Sequence, residues 1–227
     1  MEGNDILFHL GPLAISTAIA TTWAIMAALG LLSWALTRHL SEEPGTVQTI
    51  LEGIVVTIEA GVASVMPDDA RRLLPFIGTL WIYLCIANLA GVVPGLHSPT
   101  GDLSMTAALA FCVFLAVHWY GIRTEGLLGY ARHYFSPSPI MFPFHVISEL
   151  SRTVALAVRL FGNMASLEMA ALLVLLVAGF LVPVPLLLLH VIEALVQAYI
   201  FGMLALVYIA GGIESQHNLK QQKGQQS

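Results

Sequence analysis

The stretch RLFGNMASLE, Arg159 to Glu168, places a guanidinium and a carboxylate deep inside an apolar region. A charged side chain at bilayer mid-depth costs on the order of 3 kcal/mol by insertion scales, so it marks a functional site unless it snorkels or meets a fixed counter-charge. The mid-helix position of Arg159 argues against snorkelling. Glu168 cannot simply pair with it, because nine residues at about 100° each reach the opposite helix face, about 13 Å along the axis. Asn163 lies one turn from Arg159, close enough to hold or orient it. Arg152 lies two turns back and one turn after Glu149, and these two are expected to pair locally nearer the interface.

A second polar set follows. His190, Glu193 and Gln197 are spaced three and four apart in a segment otherwise made of Leu, Val, Ile and Ala, which aligns them as one stripe. A lone buried histidine is ordinarily a satisfied core residue. Three polar groups on one face, opposite a helix carrying Glu168, suit the lining of an aqueous pathway. Imidazoles and carboxylates in such a lining can relay protons, because burial and mutual charge bring them toward the working range.

These groups need a membrane-embedded scaffold. Of 227 residues, 57% are hydrophobic and only 10% are charged, against about a quarter charged in ordinary globular domains. The composition therefore reads as an all-α membrane protein with about five crossings. Gly11 to Thr37, Leu73 to Gly101 and Leu103 to Ile122 contain no Asp, Glu, Lys or Arg, and each can cross a core of roughly 30 Å. The opening MEGNDILFHL has no basic region before its apolar run, so the first helix is expected to remain in the mature protein. Cys85 and Cys112 read as ordinary buried thiols, with no disulfide framework and no metal site. The net charge of -5 gives no hint of nucleic-acid binding.

The elements are expected as one integral membrane domain over 1–227. An outer segment over 1–11 precedes helix one over 12–38. An amphipathic helix over 46–66 follows, with Glu52 and Glu59 seven residues apart on one side, which suits a position along the membrane surface. Helices two and three are expected over 72–93 and 103–122. Placing Arg38, Arg71, Arg72, Arg123 and Arg132 on the inner side puts the N-terminus outside. Lys220 and Lys223, in a polar tail over 215–227, fall inside after two further crossings.

Those last crossings, over 140–182 and 186–214, form a hairpin of long helices. No proline lies between Pro143 and Pro183, and a helix of that length extends to roughly 58 Å. This is nearly twice the hydrocarbon thickness, so strong tilt is expected, with breaks at Gly162 or Gly179 as the other solution.

Four stretches carry a family resemblance: SELSRTVALAVRLFGNMASLE; His190 and Gln197 followed by AYIFGMLALVYIAGGIES; NLAGVVPG; and SPTGDLSMTAALA. Together they resemble subunit a of bacterial F-type (F1Fo) rotary ATP synthases, over most of the chain. The resemblance implies a membrane stator, not itself an enzyme and without cofactor or metal. It implies a bacterial inner-membrane location and, as partners, the c-subunit ring, the b subunits of the peripheral stalk, the rest of the complex and the lipid bilayer. Arg159 would face the c-ring carboxylate with Asn163 as neighbour. Glu168 and His190 would line the outer half-channel, Gln197 would approach Arg159, and Asn88 would line the outer access path. The family often carries an acid three positions after that asparagine, where this chain has Gly91; Glu193 is an additional acid that could compensate.

Other function classes lack their signatures. The chain contains no GxxxxGK[ST] for nucleotide phosphates, no HExxH and no GxSxG for intramembrane proteolysis. A self-contained ion-coupled transporter would predict internal repeats, and the two long C-terminal segments have no counterpart in the first half.

Overall fold

The computed structural model describes residues 6–10, 13–38, 45–93, 98–134, 142–178 and 183–224. Six helices follow a short hairpin: β1 (Ile6–Leu10), β2 (Leu13–Ser16), α1 (Thr17–Thr37), α2 (Thr46–Ala63), α3 (Ala70–Ala90), α4 (Leu103–Tyr134), α5 (Phe142–Ala178) and α6 (Pro183–Gly224). A single 3-10 turn, Pro99–Gly101, precedes α4. The all-α architecture expected from the composition is the one the chain adopts, with the hairpin as an addition.

That hairpin corrects the first boundary. Helix one was expected from residue 12, but the helix begins at Thr17, and β2 pairs antiparallel with β1 from Leu10↔Leu13 to Ile6↔Ser16. Two short apolar runs separated by Gly-Pro are a hairpin signal.

Among the described residues, six helices are long and apolar enough to cross a membrane, α2 included. The expectation of five crossings therefore rests on the amphipathic stripe of α2, not on its length. Its C-terminal half packs on α3 through Ile58 and Val62, whereas Val47, Ile50 and Ile54 in the N-terminal half are exposed.

The core is built where α3, α4, α5 and α6 meet. Leu73, Ile77 and Leu84 of α3, Leu156 and Leu160 of α5, and Phe201, Leu206 and Ile209 of α6 are fully buried. Ala110, Ala194, Ala198 and Ala205 lie between them, and such small residues let helices approach closely where lipid gives no hydrophobic drive to associate. The tightest contact is between α3 and α6. The Trp81 indole fills the space where Gly202 would carry a Cβ, stacks on Tyr199 at 5.8 Å, and donates from Nε1 to the Tyr199 carbonyl at 3.3 Å.

The long hairpin is continuous. α5 runs unbroken through Gly162 for 37 residues, about 55 Å at 1.5 Å per residue, so tilt rather than a break at that glycine accommodates it. Gly179 lies outside the described residues. α4 also outruns its expected end, because it turns at Gly126, whose φ of 79° suits glycine, and resumes to Tyr134. The tail expected from residue 215 is helical to Gly224, as its Gln, Lys and Glu content permits.

Candidate functional site

α5 and α6 are antiparallel, and their polar contacts fix the register. Asn163 Nδ2 donates to Gln197 Oε1 at 2.6 Å, while farther along the Arg152 guanidinium lies 5.8 Å over the Tyr208 ring. α3 also runs antiparallel to α6, with Asn88 Nδ2 donating to the Ala194 carbonyl at 3.2 Å.

Around Asn88 a buried network closes one end of the bundle. Thr100 Oγ1 donates to Asn88 Oδ1 at 2.7 Å, the Ser98 hydroxyl donates to the Ala87 carbonyl at 3.0 Å, and the two hydroxyls are 2.6 Å apart. The Ser98 backbone N–H donates to Glu168 Oε1 at 3.0 Å, so the turn before α4 holds the carboxylate of α5. A Cβ built on Gly101 would lie 3.0 Å from Glu168 Oε2. Any side chain there would press on the carboxylate.

His190 meets the same end of the bundle. A Cβ built on Gly91 would lie 3.4 Å from His190 Nε2 and 3.0 Å from Ser98 Cβ. A side chain at position 91 would therefore crowd Ser98 and lie in contact with the imidazole. His190 is 3% exposed and Gln197 2%, yet the Nε2 atoms of both have no hydrogen-bond partner among the described residues. A buried unsatisfied donor costs about 1–3 kcal/mol, which water in the site would remove. Glu193 is half-buried beside exposed Ile192 and Val196, and it makes no hydrogen bond or ion pair among the described residues.

Arg159 is exposed on α5 next to exposed Val158, and Gly162 one turn on has open space around it. Among the described residues no carboxylate lies within ion-pair distance of the guanidinium. Asn163, expected to orient Arg159, bonds Gln197 instead. The structure thus brings Asn88, Glu168 and His190 to one end of the bundle. It joins Asn163 to Gln197 at the level of Arg159, and it leaves Arg159 and Glu193 toward the outside.

Ser98, Thr100 and His118 were not singled out by residue type, although each is a polar group in an apolar setting. At the other end of α5, His118 Nδ1 lies 3.8 Å from Glu149 Oε1. The pair expected there was Glu149 with Arg152.

A family model described as ATP synthase A chain matches residues 19–210. The chain is 64% identical to ATP synthase subunit a 1 of Hahella chejuensis over 211 residues, covering 93% of this chain and 90% of the relative. It is 60% identical to ATP synthase subunit a 2 of Pelobacter propionicus over 215 residues, 95% of this chain and 94% of the relative. Identity to ATP synthase subunit a of Legionella pneumophila strain Paris is 54% over 216 residues, again 95% and 94%. With the match extending from α1 to Ala210 in α6, the chain belongs to the subunit a family of bacterial F-type ATP synthases.

Proposed function

We propose that this subunit is the stator against which the c-ring turns, with two offset half-channels that bring a monovalent cation, proton or sodium, to and from the ring carboxylate. The observation that carries the reading is the exposed Arg159, which has no ion-pair partner among the described residues. A cation on a lipid-facing surface needs a counter-charge, and an outward guanidinium beside the open surface of Gly162 suits an approaching helix that bears a carboxylate.

The outer half-channel is assigned to Asn88, Glu168 and His190, with Asn163 and Gln197 at the level of Arg159. The orphaned Nε2 atoms of His190 and Gln197 support water along this route. An ion arriving there neutralises a ring carboxylate, which can then enter lipid. The next carboxylate gives up its ion on the other side before passing Arg159, which stabilises the ionised form and blocks direct leakage. Each unit charge moved down 100 mV supplies about 2.3 kcal/mol to the rotation. The b subunits are the expected stationary partners, and α2 along the surface leaves five crossings with the N-terminus outside. Half-buried Glu193, next to lipid-exposed residues, stands at the margin of this path rather than within it.

ATP-driven ion uptake into inverted vesicles holding the intact complex tests this function, with sodium and a protonophore varied. Acidification abolished by protonophore without sodium dependence identifies a proton motor, and sodium uptake that survives protonophore identifies a sodium motor. Uptake of neither ion would overturn the reading.

A further inference from the structure

Asn163 and Gln197 join α5 to α6, and each has a charged residue four positions before it: Arg159 on α5 and Glu193 on α6. Four residues turn a helix by about 400°, so each charge stands about 6 Å along its axis from the amide pair and about 40° round from it. Because the helices are antiparallel, the two axial steps run in opposite directions, while the two rotations open onto the same side of the seam. That side faces outward. Val158 on α5 and Val196 and Ile200 on α6 are exposed there, and Gly162 has open space around it. The outward face of the seam thus carries a cation and an anion about 12 Å apart along its length, with the amide pair between them. Neither has an ion-pair partner among the described residues.

Depth and neighbours indicate which step Glu193 serves. The register that joins Asn163 to Gln197 and lays Arg152 over Tyr208 sets Glu193 level with Leu167, next to Glu168 in sequence. Glu193 therefore lies on the Glu168 side of Arg159. Along α6 it stands between His190, three residues before it, and Gln197, four after it. Both are buried, and both have an Nε2 atom without a hydrogen-bond partner among the described residues. His190 stands against Gly91 at the edge of the Asn88 network, whereas Glu193 is half-buried at the outward face. A carboxylate in an apolar membrane helix is costly and marks a functional site by default. Two orphaned nitrogens flanking it on one stripe point to water or a hydrated cation at this spot.

We propose that Glu193 is an additional ion-exchanging carboxylate, placed where the outer half-channel opens onto the ring, which passes the ion between the His190 end of the channel and the ring carboxylate. The proposal rests on the stator reading. In the loading direction a protonated Glu193 gives H+ to a bare ring carboxylate and is left ionised; it then takes H+ from a hydronium in the channel, leaving water. For sodium, the ion exchanges an oxygen of Glu193 for one of the ring carboxylate, and Glu193 receives the next hydrated ion. Both sequences reverse when ATP drives the ring. The two charges also divide the seam. A like charge disfavours a bare ring carboxylate and an opposite charge favours it, so the Glu193 end loads the ring and the Arg159 end empties it. Glu168 and His190 are the other titratable groups at this depth among the described residues.

The test uses the assembled complex. Glu193→Gln, equal in shape but uncharged, is expected to slow ATP-driven ion uptake about tenfold, a small part of what a positioned proton-transfer group contributes, and Glu193→Asp to slow it less. Unchanged uptake in Glu193→Gln, or equal slowing in both variants, overturns the proposal, because the charge would then not matter. Glu193→Cys, with Cys85 and Cys112 replaced by serine, is expected to react with a small membrane-impermeant cationic thiol reagent in right-side-out vesicles and not in inverted ones. No reaction from the outer side also overturns it, and this labelling decides should Glu193→Gln fail to co-purify with the complex. Arg159→Ala in the same assay separates the two claims. Its normal pumping would sink the stator reading itself, whereas its failure to pump beside a normal Glu193→Gln variant sinks only the role of Glu193.

Discussion

The residues around Asn88 form an interlocked polar group among the described residues, and they hold Glu168 through the Ser98 backbone N–H. Asn88 spends its amide on the Ala194 carbonyl and its oxygen on Thr100, while Ser98 supplies the backbone donor to Glu168. Thr100→Val should leave Asn88 Oδ1 buried without a donor, at a cost of about 1–3 kcal/mol. A lowered thermal transition of the purified complex, with ion uptake slowed as Glu168 loses its fixed position, is the expected result; an unchanged transition would mean that water replaces the hydroxyl. Arg159, Glu168 and His190 were legible in the sequence because a charge or imidazole in an apolar run is costly and therefore conspicuous. Ser98 and Thr100 were not, since hydroxyls in apolar segments more often bond their own backbone, as Thr21 and Thr22 do here. The approach of His118 to Glu149 was missed because spacing along one helix identifies neighbours on that helix alone, and His118 comes from another.

The helices themselves were largely legible, since runs without charge and a proline-free stretch are properties of the chain. Their ends were less so. Pairing between β1 and β2 overrode an apolar run that reads equally well as helix, and α4 and α6 continue beyond the membrane-like composition that defines them. Contacts between elements depend on shape that no spacing reveals, and Trp81 against Gly202 is the clearest case. Gly202→Ala places a methyl group where the indole lies, so α3 and α6 must separate, at about 1–3 kcal/mol for an overpacked core. Poorer assembly of the variant with the complex is expected, with recovery when Trp81→Phe removes the second ring. Normal assembly of Gly202→Ala alone would mean that this contact is not what fixes α3 on α6.

At the scale of the whole molecule, the bundle has two polar ends and one outward cation between their levels. Glu168, His190 and the Asn88 network occupy one end, Glu149, His118 and Arg152 the other, and between them, beyond the Asn163–Gln197 pair, lies an apolar core in which Leu160, Leu156 and Phe201 are fully buried. A continuous aqueous path through this subunit alone would have to cross that core. Two partial paths that meet a mobile carboxylate on a neighbouring chain need not. This arrangement makes Arg159 the one group whose removal should uncouple flow from rotation without disturbing the fold, because its side chain is exposed and contributes no ion pair among the described residues. The most direct measurement is ATP-driven ion uptake by vesicles containing the Arg159→Ala complex, with assembly verified by co-purification of all subunits. Complete loss of uptake in a fully assembled complex is the predicted result, and uptake at the unsubstituted rate would contradict the account.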